Sequence, residues 1–177
     1  MLLVVGATER ELAFVRGAET LRCGIGPVEA ALHTARALAE RRPDAVLHVG
    51  LAGARGIEPP ALVIGTEAVY EDVRDDALVV ARAAPDASLL DRARAALPDA
   101  RALPIGTSAA VGGTRGCEVE AMEGFAVLRA CELAGVAAVE VRAVSNAIDE
   151  PDRAKWRFDD ALAALADAVE RLVPALS

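Results

Sequence analysis

The segment Ala45-Val-Leu-His-Val49, a nearly unbroken apolar run closed by Gly50-Leu-Ala-Gly53, constrains this chain more than any other stretch. A strand with one wet face alternates apolar and polar residues. A continuous run instead predicts a strand buried on both faces, as in a parallel sheet covered by helices, here feeding a glycine-bearing loop. Leu2–Val5 and Ala137–Ser145 are further predicted strands, and between these runs the apolar period lengthens to that of helices. Pro27 suits a first helical position, and Val28, Ala31, Leu32, Ala35 and Leu38 mark the apolar stripe of a helix ending near Arg42. Short strands are predicted at Thr20–Cys23 and Arg101–Ser108. An antiparallel pair is predicted at Leu62–Tyr70 and Leu78–Ala81, with Asp75-Asp76 in the turn. Helices are predicted from a cap at Ser88 through Leu97, over Gly124–Ala134 with Gly135 as the stop, and over Ala161–Leu172. This alternation predicts an α/β fold, in one domain over residues 1–177 without an internal repeat.

Charge and composition exclude several functions. A net charge of -8 argues against a nucleic-acid partner, because phosphate tracks are bound by clustered Lys and Arg. No apolar stretch reaches the ~18 residues of a membrane span, and Met1-Leu-Leu-Val-Val-Gly6 lacks the charged flank of a signal peptide. A cytoplasmic location without a membrane partner is therefore expected. Cys23, Cys117 and Cys131 form no C-x-x-C, so neither a disulfide framework nor a zinc site follows. His33 and His48 have no metal-ligand spacing and are read as core or surface residues. Gly24-Ile-Gly26 lacks the third glycine of a dinucleotide fingerprint, and no phosphate-binding G-x-x-x-x-G-K-[ST] run occurs. Neither Ser108 nor Ser145 has a histidine in a triad pattern. The expected site uses no metal and no cofactor.

Asn146 is the only asparagine of a chain that has no glutamine at all. It follows the predicted strand Ala137–Ser145, at the carboxyl end where open α/β sheets bind their ligands. Upstream, Val119-Glu-Ala-Met-Glu-Gly124 opens a helix with a carboxylate at its mouth. Together they suggest a site in which an acid reads a sugar and an amide reads a purine. The alternative is that Asn146 merely caps a turn.

Four segments, in order, resemble the purine nucleoside phosphorylase and nucleosidase superfamily. They are Val4-Val-Gly-Ala-Thr-Glu-Arg-Glu-Leu12, Gly24-Ile-Gly-Pro-Val-Glu-Ala-Ala31, Pro43 through Gly53, and Val119–Gly124 followed by Arg142-Ala-Val-Ser-Asn146. The resemblance implies a three-layer α/β/α sandwich with a mixed central β-sheet and a site at the strand ends. It implies that Glu11 activates water, that Glu123 binds ribose hydroxyls, and that Met122 packs beneath the sugar. It also implies that the strand Arg101–Ser108 supplies part of the purine pocket, with Ile105 and Thr107 as candidates. Members of the superfamily are commonly homodimers or larger homo-oligomers, so a homo-oligomer is expected.

Two departures refine the activity implied by this resemblance. The early Gly-Asp-Pro and arginine phosphate clamp of the phosphorylases is missing; Gly6-Ala-Thr-Glu-Arg-Glu11 stands there and resembles the hydrolytic branch. The family's hydroxyl-bearing Gly-Ser/Thr-Ala-Gly loop reads Gly50-Leu51-Ala52-Gly53. Nucleosidases that release adenine carry aspartate where this chain has Asn146. An acid must protonate N7 for adenine to leave, whereas an amide suits a 6-oxopurine whose departing charge spreads onto O6. Ser145-Asn146 with Asp152-Arg153 and Trp156 resembles the branch that cleaves futalosine, a hypoxanthine nucleoside with an aromatic carboxylate tail, in a route to menaquinone. Hydrolysis of such a purine nucleoside, with Glu11 and Asn146 as catalytic residues, is the activity implied. A methylthioadenosine or S-adenosylhomocysteine nucleosidase and a non-catalytic nucleoside sensor are the alternatives. Trp156 is read as packing, and whether Arg153 lines the site stays open.

Overall fold

The computed structural model describes residues 1–73 and 77–177. Its elements in chain order are β1 (Leu2–Gly6), α1 (Glu9–Leu12), β2 (Glu19–Arg22), α2 (Pro27–Arg41), β3 (Ala45–Ala54), β4 (Leu62–Tyr70) and β5 (Arg82–Ala83). There follow α3 (Ala87–Ala96), β6 (Arg101–Thr107), β7 (Val119–Ala121), α4 (Gly124–Ala134), β8 (Ala137–Ala147) and α5 (Phe158–Leu176).

The apolar runs sort themselves onto two faces because successive strand residues point to opposite sides. Leu2 and Val4 of β1 pack with Leu47, Val139, Leu89 and the α5 residues Leu165 and Leu172. Leu3 and Val5 pack the other way, with Ala30 and Leu38 of α2 and Val127 and Cys131 of α4. Among the described residues, helices therefore cover both faces of an eight-stranded mixed sheet, the expected three-layer sandwich. β3 lies parallel to β1 and β8, while β4 runs antiparallel to β8. β6 is parallel to both β4 and β7, and β7 meets β3 antiparallel at Gly53 and Ala54. Strands β3, β8, β4, β6 and β7 thus close on themselves around Ala54, Val63, Ile105, Val119 and Val144.

Several boundaries differ from the sequence reading. Gly50-Leu-Ala-Gly53 is not a loop: β3 continues to Ala54 because β8 pairs beside it as far as Ala147, across a bulge at Ala52/Gly53. Asn146 therefore sits inside β8 and does not follow the strand. The strand expected at Leu78–Ala81 is displaced to Arg82–Ala83, which pairs with Ala68 and Val69. Leu78, Val79 and Val80 are exposed, so their β-forming side chains have no core to join. The predicted turn at Asp75-Asp76 falls outside the described residues. α3 is capped by Asp86, whose carboxylate accepts from the Leu89 amide at 2.9 Å, and not by Ser88. α5 extends beyond the predicted Ala161–Leu172 at both ends. Among the described residues, no helix is long and apolar enough to cross a membrane.

Candidate active site

A cavity of about 360 Å³ opens where the parallel strands β1, β3 and β8 end. Its wall brings together Thr8 and Glu11 beyond β1, Leu51–Gly53 of β3, Ser145 and Asn146 of β8, and Glu120–Glu123 at the β7–α4 junction. Residues from both ends of the sequence thus meet at strand termini, the common ligand position of α/β sheets.

Glu11 is held there by local helix chemistry. Thr8 caps α1, and Glu11 returns the bond: its Oε2 accepts from the Thr8 amide and hydroxyl, both at 2.8 Å. Its Oε1 accepts from the Leu51 amide at 3.0 Å, which ties the first helix to β3. The acid that completes the cap of α1 and the acid on the cavity wall are therefore one residue.

Below the cavity lies a buried ion cluster that the sequence reading missed. Arg142 is 1% exposed, and its Nε donates to Glu140 Oε1 at 2.8 Å. Its Nη1 donates to Glu123 Oε2 at 3.3 Å and to the Leu51 carbonyl at 3.4 Å, and its Nη2 meets His48 Nε2. Burial opposes the arginine's charge, but Glu140, Glu123 and Glu11 outweigh it and raise its pKa above the ordinary value. Burial, and then the Arg142 charge, push His48 well below its ordinary pKa, so it is neutral at pH 7. A neutral ring that donates from Nδ1 to the Val5 carbonyl at 3.0 Å offers Nε2 to the arginine as an acceptor. Burial also raises the pKa of Glu140, against the pull of Arg142. The signal was present in the sequence: Glu140 and Arg142 share one face of an otherwise apolar strand, so both are buried together and require partners.

Two glycines make room for this cluster. Gly50 pairs in register with Arg142, and a Cβ there would overlap Nη1 and stand 2.8 Å from Glu11 Oε1. Gly124, first in α4, would with a Cβ overlap the Glu140 carboxylate.

The remaining walls are equally tied down. Glu123 is 4% exposed, and its Oε1 accepts from the Gly26 amide at 3.0 Å, where φ is 91°. Met122 lies half-buried beside it on the cavity wall. Glu120, also overlooked, receives the Gly112 amide at 2.6 Å and the Thr114 amide and hydroxyl at 2.8 Å, folding the glycine-rich loop over the cavity. The Asn146 amide is oriented from both sides. Its Oδ1 accepts from Ser145 Oγ at 2.8 Å, and its Nδ2 donates to the Ala147 carbonyl at 2.9 Å. Gly53 leaves space for it, since a Cβ would stand 3.0 Å from Nδ2.

Two expected pocket residues lie elsewhere. Ile105 is buried with Val63 and Val119 inside the strand ring. The Thr107 hydroxyl accepts from the Phe125 amide at 2.8 Å, binding β6 to the start of α4. Glu120 and Ala121 of the neighbouring β7 face the cavity instead. Trp156, read as packing, lines the cavity, as does Arg153. The three thiols are free, and burial pushes Cys23 and Cys131 up to about 12, leaving them protonated and unreactive. Among the described residues, no group of three or more His, Cys, Asp or Glu could hold a metal ion.

Comparisons with known proteins agree in kind. The family model for the phosphorylase superfamily matches residues 14–176. A futalosine hydrolase of Streptomyces coelicolor is 36% identical, the alignment covering 90% of this chain and 80% of that protein. A 5′-methylthioadenosine/S-adenosylhomocysteine nucleosidase of Actinobacillus succinogenes is 32% identical, covering 73% of this chain and 67% of its own length. The crystal structure of the Streptococcus pneumoniae MTA/SAH nucleosidase with 8-aminoadenine shares the fold, with a TM-score of 0.86 over 99% of both chains at 19% identity.

Gly50→Ala tests the packing of the cluster. The new methyl cannot displace a guanidinium clamped by Glu140, so Glu11 or the strand must move. A stability loss of about 1–3 kcal/mol is expected, as for overpacking elsewhere, with the urea midpoint lowered. An unchanged midpoint would show that Arg142 has room to swing.

Proposed function

The chain belongs to the phosphorylase superfamily, and from that premise we propose that it hydrolyses the N-glycosidic bond of futalosine, releasing hypoxanthine. One observation carries the reading: the fold collects the buried carboxylates of Glu11 and Glu123, with Glu120 beside them, and the oriented amide of Asn146 around a single cavity.

Each group has capacity for its role. Glu11 Oε1 accepts one protein hydrogen bond and retains a lone pair with which to deprotonate a water. Each oxygen of Glu123 accepts one bond, leaving lone pairs for two ribose hydroxyls. Its negative charge favours the oxocarbenium-like sugar that forms as the bond breaks, and Met122 packs beneath the ring. Asn146 uses one Nδ2 proton on Ala147 and, among the described residues, keeps the other for N7 or O6 of the leaving base. An amide cannot protonate adenine's N7, so the site favours a 6-oxopurine over the 6-aminopurine of the methylthioadenosine nucleosidases. Water, not phosphate, is the proposed nucleophile. The Leu51 amide is already occupied by Glu11, and the Arg142 guanidinium by Glu140 and Glu123, so neither greets a dianion. Free thiols suit a reducing cytoplasm.

We also infer a homo-oligomer. Val28, Leu32 and Leu133 are 68%, 64% and 73% exposed on the side of α2 and α4 away from the sheet. This apolar stripe adjoins the Gly26–Glu123 corner of the cavity, and exposed stripes of this kind commonly mark interfaces.

The decisive incubation uses futalosine, inosine and methylthioadenosine, with and without phosphate. Futalosine should be cleaved best, giving hypoxanthine and free sugar at the same rate in both buffers. A sugar 1-phosphate product, or preference for methylthioadenosine, contradicts the proposal. Asn146→Asp should shift the ratio of kcat/KM values toward the 6-aminopurine; an unchanged ratio removes Asn146 from base recognition.

For the assembly, Leu32→Glu should lower the sedimenting mass to that of the single chain. A wild-type protein that already sediments at the single-chain mass refutes the oligomer.

A further inference from the structure

The cavity does not end at the nucleoside. Arg10, Arg153, Trp156 and Phe158 line it and also a second hollow of about 610 Å³ outside, so the two share a wall. Arg10, Arg153 and Arg157 line this outer end, with Lys155 in the adjoining turn, and three of these four cations are neutralised. Arg10 pairs with Asp159 at 2.9 Å, Lys155 with Glu150 at 3.2 Å, and Arg157 with Asp160 at 2.8 Å. Among the described residues, no carboxylate pairs with Arg153. Its guanidinium carbon stands 5.5 Å from the centre of the Trp156 ring.

That ring is fixed. The indole Nε1 donates to the Glu150 carbonyl at 3.0 Å, and Phe158 leans against it with centroids 5.4 Å apart and planes at 49°. Asp152 holds the turn that carries Arg153, accepting from the Ala154 amide at 3.0 Å. A guanidinium lying over an aromatic face keeps its in-plane N–H groups for a planar acceptor, and a carboxylate matches that fork. Beside the cation stand Trp156 and Phe158 on the shared wall, with Leu162 on the cavity side, apolar surface that suits a ring and not a hydrated phosphate; Asp159 and Asp160, each paired with an arginine, line the outer side.

We propose that this outer end is a subsite for an aromatic carboxylate carried by the substrate, with Arg153 reading the charge and Trp156 and Phe158 packing the ring. The inference rests on the nucleosidase reading and deepens it: the inner cavity takes the nucleoside, and the outer end selects which nucleoside. Arg153 is a specificity residue here and touches none of the reacting atoms.

The test separates the two claims. Wild type, Arg153→Ala and Arg153→Lys are assayed on futalosine, which has the carboxylate tail, and on inosine, which lacks it. Arg153→Ala should lower kcat/KM about tenfold more for futalosine than for inosine, through KM and not kcat, the effect of one partly exposed charge-assisted hydrogen bond. Arg153→Lys should recover part of the loss. An equal change on both substrates, or none on either, overturns the subsite. Calorimetric binding of benzoate, with benzamide as the neutral control, tests it independently of turnover. Benzoate should bind wild type more tightly than Arg153→Ala does, and benzamide should not distinguish them. Benzoate binding that ignores the substitution overturns the subsite. If wild type cleaves inosine but not futalosine, while benzoate binding still depends on Arg153, the substrate assignment fails and the carboxylate subsite stands.

Discussion

A fully charged guanidinium buried beneath the sheet's carboxyl edge is the constraint around which the rest of this structure is arranged. Taking such an ion from water costs several kcal/mol even after relaxation. Arg142 recovers this through Glu140, Glu123, the Leu51 carbonyl and a neutral His48, which come from β8, the start of α4 and β3. The strands must therefore pair in one register, with Gly50 opposite Arg142 and His48 opposite Glu140. A slip by one residue would send every one of these groups to the other face. The helix α4 must likewise begin close to Glu140, which Gly124 permits.

The same cluster links stability to the proposed chemistry. Glu123 is bonded to Arg142, and Glu11 reaches the same corner through the Leu51 amide, so these two cavity acids are fixed before any ligand arrives. Preorganised charge is worth more to catalysis than charge that must reorient as the reaction proceeds. Asn146, at the end of the strand that carries Arg142, is held by Ser145 and Ala147 in one orientation. The groups proposed to activate water, hold the sugar and bind the base are thus positioned by one pair of parallel strands, β3 and β8, and by what those strands bury.

Much of this was legible in the residues. The continuous apolar run of β3 identified a doubly covered strand, because a strand with one wet face would alternate apolar and polar residues. Glu11, Met122, Glu123 and Asn146 were singled out, and the fold brings all four to one cavity. What was not legible depended on tertiary pairing. Gly50–Gly53 looked like a loop because glycine is a turn residue, yet these glycines sit in a strand where side chains from β8 cross over the backbone. Ile105 and Thr107 were assigned to the pocket from the position of their strand, but β7 inserts between β6 and β3 and takes that place. Trp156 and Arg153 lie beyond the last strand, where no periodicity reports which way the chain turns. Glu140, Arg142 and His48 were visible as polar residues within apolar strands, but their mutual contact follows only from the pairing of β3 with β8.

A double-mutant cycle between Arg142 and Glu140, read as unfolding free energy in urea, tests the organising role of the buried ion most directly. Arg142→Met alone leaves Glu140 and Glu123 buried without their cation and should cost about 3–5 kcal/mol. Adding Glu140→Gln removes one stranded charge, so the double variant should be more stable than the sum of the single losses by about 1–3 kcal/mol. Losses that simply add, to within about 0.5 kcal/mol, would mean that Arg142 and Glu140 act independently, and the cluster would not be the centre on which the site is built.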